Sequence, residues 1–114
     1  MFNDVTSAVL QVALSGLAAR QRSIANNIAN IQTPGYRAET VQFEGALRRA
    51  ITDDTPPDQV TATTSLSTEP TLLNGNNVNL DTETLANVST GLQYQMMLRG
   101  LDARFTDLHT AIKG

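Results

Sequence analysis

The sequence has no cysteine and no tryptophan, and only 4% of it is aromatic. Without thiols there is no disulfide framework, no thiolate nucleophile and no cysteine metal site, although the compartment stays open. So few aromatic residues serve a sheet sandwich poorly. The 40% apolar fraction, carried by Ala, Leu, Ile and Val, suits packed helices better. No apolar run approaches the roughly 18 residues of a bilayer-spanning helix. Met1 to Leu10 offers no basic stretch ahead of an apolar one, so no cleaved secretory signal is expected. A basic patch is also missing. Residues 1–50 carry five arginines against three acids (+2), residues 51–80 four acids and no base (−4), and residues 81–114 three bases against four acids (−1). That distribution argues against a nucleic-acid partner.

The chemistry of a catalytic or cofactor site is equally scarce. His109 is the only histidine, and no pair of carboxylates stands near it at ligand spacing. Asp53, Asp54 and Asp58 cluster, but without the glycine and glutamate of a calcium loop, and read as solvated. Gly45, Gly75, Gly91 and Gly100 lack the spacing of a phosphate-binding loop. Met96 and Met97 suit an adaptable contact or ordinary core packing equally. No catalytic, cofactor-binding or metal-ligating residue is expected, no small-molecule substrate, and no enzyme.

What the chain does hold is two apolar-periodic ends. Asn3 or Asp4 can cap a first helix. Leu10, Leu14, Leu17, Gln21, Ile24, Ile28 and Ile31 follow at spacings of 4, 3, 4, 3, 4 and 3, a heptad seam with one polar interruption, roughly 32 Å long. Gly16 costs that helix about 1 kcal/mol or admits the close approach of a neighbouring backbone; the pattern leaves both open. Arg20 and Arg22 lie off the seam and read as solvated or rim charges. At the other end, Leu85, Val88 and Leu92 start a stripe that then shifts. Tyr94, Leu98, Leu101, Phe105, Leu108 and Ile112 continue it at spacings of 4, 3, 4, 3 and 4, with Lys113-Gly114 as a suitable stop. Asn79 or Asp81 caps this second helix, and Asp81 and Glu83 favour its first turn. Gly91 and Gly100 weaken its interior.

Between the ends the material changes. Ser23 to Arg37, SIANNIANIQTPGYR, closes the first helix. Asn26, Asn27 and Asn30 each cost roughly half a kcal/mol relative to Ala. They read either as solvated or as an uncharged amide face that a neighbouring helix can bury with little desolvation. Pro34 disfavours helix at Thr33, and Gly35 permits a positive φ before Tyr36. Val41 and Phe43 alternate with Thr40, Gln42 and Glu44 as a short extended segment, with Phe43 set to pack on a helix. Gly45 to Ile51 suits one or two helical turns. Thr52 to Thr71 is rich in Thr, Asp, Pro and Ser and reads as a linker, flexible or loosely extended. Asn74-Gly75 marks a turn.

Ala25 to Glu44, ANNIANIQTPGYRAETVQFE, resembles the N-terminal signature of the bacterial flagellar axial proteins, a family of rod, hook and hook-associated subunits. Within that family, Phe43-Glu44 soon after the turn and Gly75-Asn76-Asn77-Val78-Asn79-Leu80-Asp81-Thr82-Glu83 are similar to the basal-body rod proteins of the FlgB type; Asn79 stands where that group more usually has Asp. The likeness covers most of the chain except about residues 52–72. It implies a structural subunit of the proximal rod whose terminal helices stack with those of neighbours into a hollow helical tube. It also implies export through the flagellar type III apparatus without signal cleavage, and a place in the periplasmic rod. The implied partners are other copies of itself, other rod proteins, the basal adaptor protein and the export gate. In that reading Asn26, Asn27, Asn30 and the two seams make contacts between helices of the assembly, and Thr33, Pro34, Gly35 and Tyr36 set the exit angle of the extended segment.

The expected fold is therefore all-α. It has an N-terminal helix over 1–33, a Pro-Gly turn and extended segment over 34–51, a flexible linker and turn over 52–80, and a C-terminal helix over 81–114. The two long helices form an antiparallel coiled-coil-like pair within one axial rod domain. Such a pair leaves Val5, Val9, Val12, Met96 and Met97 wet, which predicts a chain partly disordered alone that completes its core on assembly. The rival reading is a soluble two-helix adaptor or secretion chaperone that binds a partner's amphipathic helix.

Overall fold

The computed structural model describes residues 2–113, and the side chains of these apart from 2–4, 58 and 113. The caps expected of Asn3 or Asp4, the Asp58 member of the acidic cluster and the Lys113-Gly114 stop fall outside that set. Among the described residues three helices and two strands follow one another: α1 (Phe2–Ala29), β1 (Glu39–Gln42), α2 (Glu44–Thr52), β2 (Thr63–Leu66) and α3 (Leu80–Lys113). A 3₁₀ turn at Pro57–Gln59 precedes β2. The molecule measures 64 × 27 × 14 Å.

α1 and α3 lie antiparallel. Gly91 of α3 stands over Gln21 of α1, and Gly100 over Leu10, so sequence positions run in opposite directions along the contact. α1 presents the expected seam: Leu17 and Ile24 are buried, and Leu10, Leu14, Ile28 and Ile31 are half-buried. α3 does not. Its inward side is Glu83, Ala86, Thr90, Tyr94, Met97 and Leu101, all buried or half-buried.

The fold is not strictly all-α. β1 and β2 pair antiparallel, with Glu39 opposite Leu66 and Gln42 opposite Thr63. Composition alone misses this strand: Thr63–Leu66 is exposed at every position, so it adds nothing to a core and shows no alternation. Its support comes from β1, which α1 holds. Around the strand, the stretch read from composition as a linker carries a 3₁₀ turn and Val60 against the core, and in the turn segment after it Asn76, Asn77 and Val78 are buried.

The core sits where β1 runs into α2. Ala13 and Leu17 of α1 meet Phe43 and Leu47, with Val9, Val12, Val60, Tyr94 and Met97 packed around them. Gly16 explains itself here. A methyl at that position would overlap the Phe43 ring, so the glycine is the seat that lets an aromatic side chain lie flat on α1. Of the two readings of Gly16, close approach is the one realised, and the neighbour is a ring rather than a backbone.

Candidate functional site

The end of α1 is built from amides. The helix tightens as it stops: Asn30 N–H is shared between the carbonyls of Asn26 (3.1 Å) and Asn27 (3.2 Å), and Ile31 N–H reaches Ile28 O at 3.2 Å. Pro34 and a left-handed Gly35 (φ +76°) then turn the chain back. The last carbonyls of a helix have no partner within it. Asn76 supplies one, its Nδ2 donating to Asn30 O at 2.9 Å and Thr33 O at 2.8 Å. The Oδ1 of Asn76 meanwhile accepts Val78 N–H at 2.8 Å. Asn76 is fully buried, and an amide fits because it satisfies donors and acceptors there without the desolvation cost of a charge.

Two more amides complete the junction. Asn27, also fully buried, grips both polar groups of Glu39: its Nδ2 donates to Glu39 O at 2.9 Å and its Oδ1 accepts Glu39 N–H at 2.8 Å. A side chain on a helix thus stands in for a neighbouring strand. Tyr36 OH donates to the same Oδ1 at 3.1 Å. Burial, with the charges of Glu39 and Glu83 adding to it, holds the Tyr36 hydroxyl protonated above its ordinary pKa. Asn77 Oδ1 accepts Ala38 N–H at 2.7 Å, and its Nδ2 donates to Ser67 O and Glu69 O, each at 3.1 Å. Gly35 N–H donates to Asn74 O at 2.8 Å. Gly75, also left-handed (φ +86°), lies against Gly35 so closely that a Cβ would come within 3.2 Å of its Cα. The Thr-Pro-Gly-Tyr turn and the Gly-Asn-Asn-Val segment are one structure, brought together across about forty residues of chain.

A charged latch fixes the other side of β1. Arg20 donates through Nε (3.2 Å) and Nη2 (2.7 Å) to Val41 O. It also pairs in fork geometry with Glu44, Nη1 to Oε2 at 2.8 Å and Nη2 to Oε1 at 2.6 Å. The guanidinium lies 5.1 Å from the Phe43 ring centroid. Arg20 is therefore a clamp, not the solvated or rim charge expected of it. No sequence signal marks it, because its partners are a carbonyl and a carboxylate more than twenty positions away. The Arg20 hydrogen bonds pull the Glu44 carboxyl down to about 2.

The residues singled out in the sequence divide between inside and outside. Leu17, Ile24 and Asn27 are buried within the chain, and Leu10, Leu14, Ile28, Asn30, Ile31, Tyr36, Tyr94 and Leu101 are half-buried. Asn26, Thr33, Pro34 and Gly35 are exposed, as are Leu98, Phe105, Leu108 and Ile112. The turn residues Thr33 to Tyr36 are brought together with Asn27 and Asn30: Thr33 Oγ1 donates to Asn30 Oδ1 at 3.0 Å. Asn79 caps α3, its Oδ1 accepting Thr82 N–H at 3.2 Å; Asp81 is not the cap.

An apolar stripe faces outward. Leu85, Val88, Leu92 and Met96 recur at spacings of 3, 4 and 4. They line the side of α3 turned away from α1, between 57% and 74% exposed. Beyond the start of α1, Val5, Phe105, Leu108 and Ile112 leave the far end of the helix pair apolar and open. Between α2 and α3, Leu17, Phe43, Leu47 and Met97 line an open groove rimmed by Ile51 and Met96. Among the described residues no helix is long and apolar enough to cross a membrane, and no three His, Cys, Asp or Glu side chains are placed to hold a metal ion.

Comparison with known proteins draws these features together. The family model for flagella basal body rod proteins matches residues 10–37, the stretch from mid-α1 through the turn. The flagellar basal body rod protein FlgB of Bacillus subtilis is 31% identical over 120 residues, covering 92% of this chain and 91% of that protein. FlgB of Escherichia coli is 31% identical over 130 residues, covering 96% and 94%. FlgB of Buchnera aphidicola is 27% identical over 133 residues, spanning both chains fully.

Proposed function

Since the chain belongs to the FlgB family of flagellar basal body rod proteins, and is a structural subunit of that rod, we propose that it builds the proximal rod by packing α1 and α3 against neighbouring subunits in a hollow helical tube. The observation that carries this reading is the outward stripe Leu85, Val88, Leu92 and Met96. α3 carries no charged side chain from Thr84 to Leu98, and α1 none from Val5 to Ala19. A helix that is solvated on one side normally puts charge there. A face with none is suited to burial, and an exposed apolar patch of this kind marks an interaction surface. Stripe and open end lie on different parts of the molecule, which suits head-to-tail contacts that do not close on themselves.

In this reading the subunit reaches the periplasm through the flagellar export apparatus without a cleaved signal. It contacts other copies of itself and other rod proteins along the tube, and the basal adaptor protein and export gate beneath it. The amide junction plays a separate part. It fixes the direction in which β1 leaves α1, so that α2 and the sheet project at one angle from the helix pair. The relatives named above are rod proteins, which gives no support to a soluble adaptor or secretion chaperone. Imaging of intact basal bodies carrying a labelled copy tests the placement. Density for the label at the base of the rod is expected, and density confined to the cytoplasm would overturn it.

A further inference from the structure

The Asn74-Gly75 bond is a place where a protein can change its own covalent structure. In an open chain, the Gly75 backbone nitrogen loses its proton to solvent and bonds to the Asn74 side-chain Cγ. The Cγ–Nδ2 bond breaks and ammonia leaves. Water then opens the resulting succinimide at either carbonyl, giving an aspartate or an isoaspartyl link. Glycine at the second position removes the side chain that would hinder this ring closure. We propose that Asn74 is a deamidation site that the amide junction holds shut, so that this bond ages in the unfolded chain and is protected in the folded one.

The geometry supplies each part of the protection. Asn74 is exposed, so water is not withheld. Its reactants are. Gly75 N–H, whose proton must leave, donates to Leu72 O at 2.9 Å. The Asn74 Oδ1 accepts Asn76 N–H at 3.1 Å, which holds the side chain forward of the nitrogen that would attack it. Asn74 O accepts Gly35 N–H at 2.8 Å, and the Gly75 backbone is pressed on Gly35, so the peptide between the two residues cannot swing to the geometry of the ring. The two products differ in consequence. Aspartate keeps an oxygen for Asn76 N–H. An isoaspartyl link routes the main chain through one more carbon, just where the Gly35 contact leaves no room, so a chain that converts before folding closes its junction badly.

The test follows conversion at Asn74 by peptide mapping of the full-length protein, incubated native and in urea at the same pH and temperature, beside the Asn77→Ala variant. That variant loosens the junction but leaves residues 72–76 chemically unchanged. Native protein is expected to convert at least about tenfold more slowly than unfolded protein, since reaching the ring means breaking the three hydrogen bonds named above. Asn77→Ala is expected to fall between. Hydrogen exchange at Gly75 provides a second readout, slow in the native chain and faster in the variant. Equal native and unfolded rates, or conversion in urea at another asparagine ahead of Asn74, would overturn the proposal.

Discussion

At the point where α1 stops, three buried asparagines bond to main-chain groups from three separate segments, and the turn they hold is satisfied within one chain. At the opposite end of the same helix pair, Val5, Phe105, Leu108 and Ile112 are between 40% and 77% exposed, with no further element over them among the described residues. One end is polar and closed; the other is apolar and open. The difference teaches that apolar content is a poor guide to what this chain buries by itself. Its own interior at the junction is built from amides, which need well-placed partners that a single chain can supply. On α3 Leu85, Val88, Leu92 and Met96, which need only area, stay exposed.

The comparison breaks most visibly at the junction. Asn76→Ala leaves the buried Val78 N–H without its acceptor and takes the Nδ2 donor from Asn30 O and Thr33 O, which keep only the N–H groups of Thr33 and Tyr36. A loss of about 2–4 kcal/mol is expected in urea unfolding of the purified chain, with α1 fraying at its end in hydrogen exchange. A loss below a few tenths of a kcal/mol would mean that the junction is ornament.

Gly16→Ala comes next. Alanine favours the helix by up to about 1 kcal/mol, yet its methyl overlaps the Phe43 ring, and forcing a ring aside costs roughly 1–3 kcal/mol. The net expectation is a destabilisation of about 1 kcal/mol, with Phe43→Leu on the Gly16→Ala background recovering part of it. A stabilised Gly16→Ala variant would show that Phe43 does not sit on that glycine.

The Arg20 latch should give a smaller, pH-dependent effect. Glu44 has its folded pKa lowered from 4.5 to about 2. Its contribution is therefore fully present above pH 4.5 and lost as pH falls toward 2. Glu44 is half exposed, so solvent screens the pair and about 0.5–1 kcal/mol is expected. Stability measured in that acid range should fall less steeply for Glu44→Gln than for the parent chain; identical slopes would mean that the latch does not hold β1.

How much of this was legible in the sequence differs between the two regions for the same physical reason. The helices, their antiparallel pairing, the turn at Gly35 and the segment at Asn74-Gly75 rest on local pattern and were readable. The flagellar axial likeness rested on the same two motifs. That the motifs touch was not readable, because Asn76 meets Asn30 and Thr33 only after the chain has returned. β2 left no trace either: its threonines and serine bury nothing, and the strand lies inside Thr52 to Thr71, which composition reads as a linker. On α3 the run from Tyr94 to Ile112 looked like the seam to α1. Instead Glu83, Ala86, Thr90 and Met97 share that side with Tyr94 and Leu101, and the better apolar stripe turns outward. Periodicity finds a stripe; it does not say which neighbour covers it.

Leu92→Asp probes the outward face of α3 most directly. Leu92 is 58% exposed, so a charge there should change the urea unfolding of the isolated chain by less than about 0.5 kcal/mol. Basal bodies from cells carrying this variant as their sole copy should nevertheless lack a complete rod, and the cells should not swim. Intact rods and normal swimming with Leu92→Asp in place would contradict the claim that this outward face is where neighbouring subunits pack.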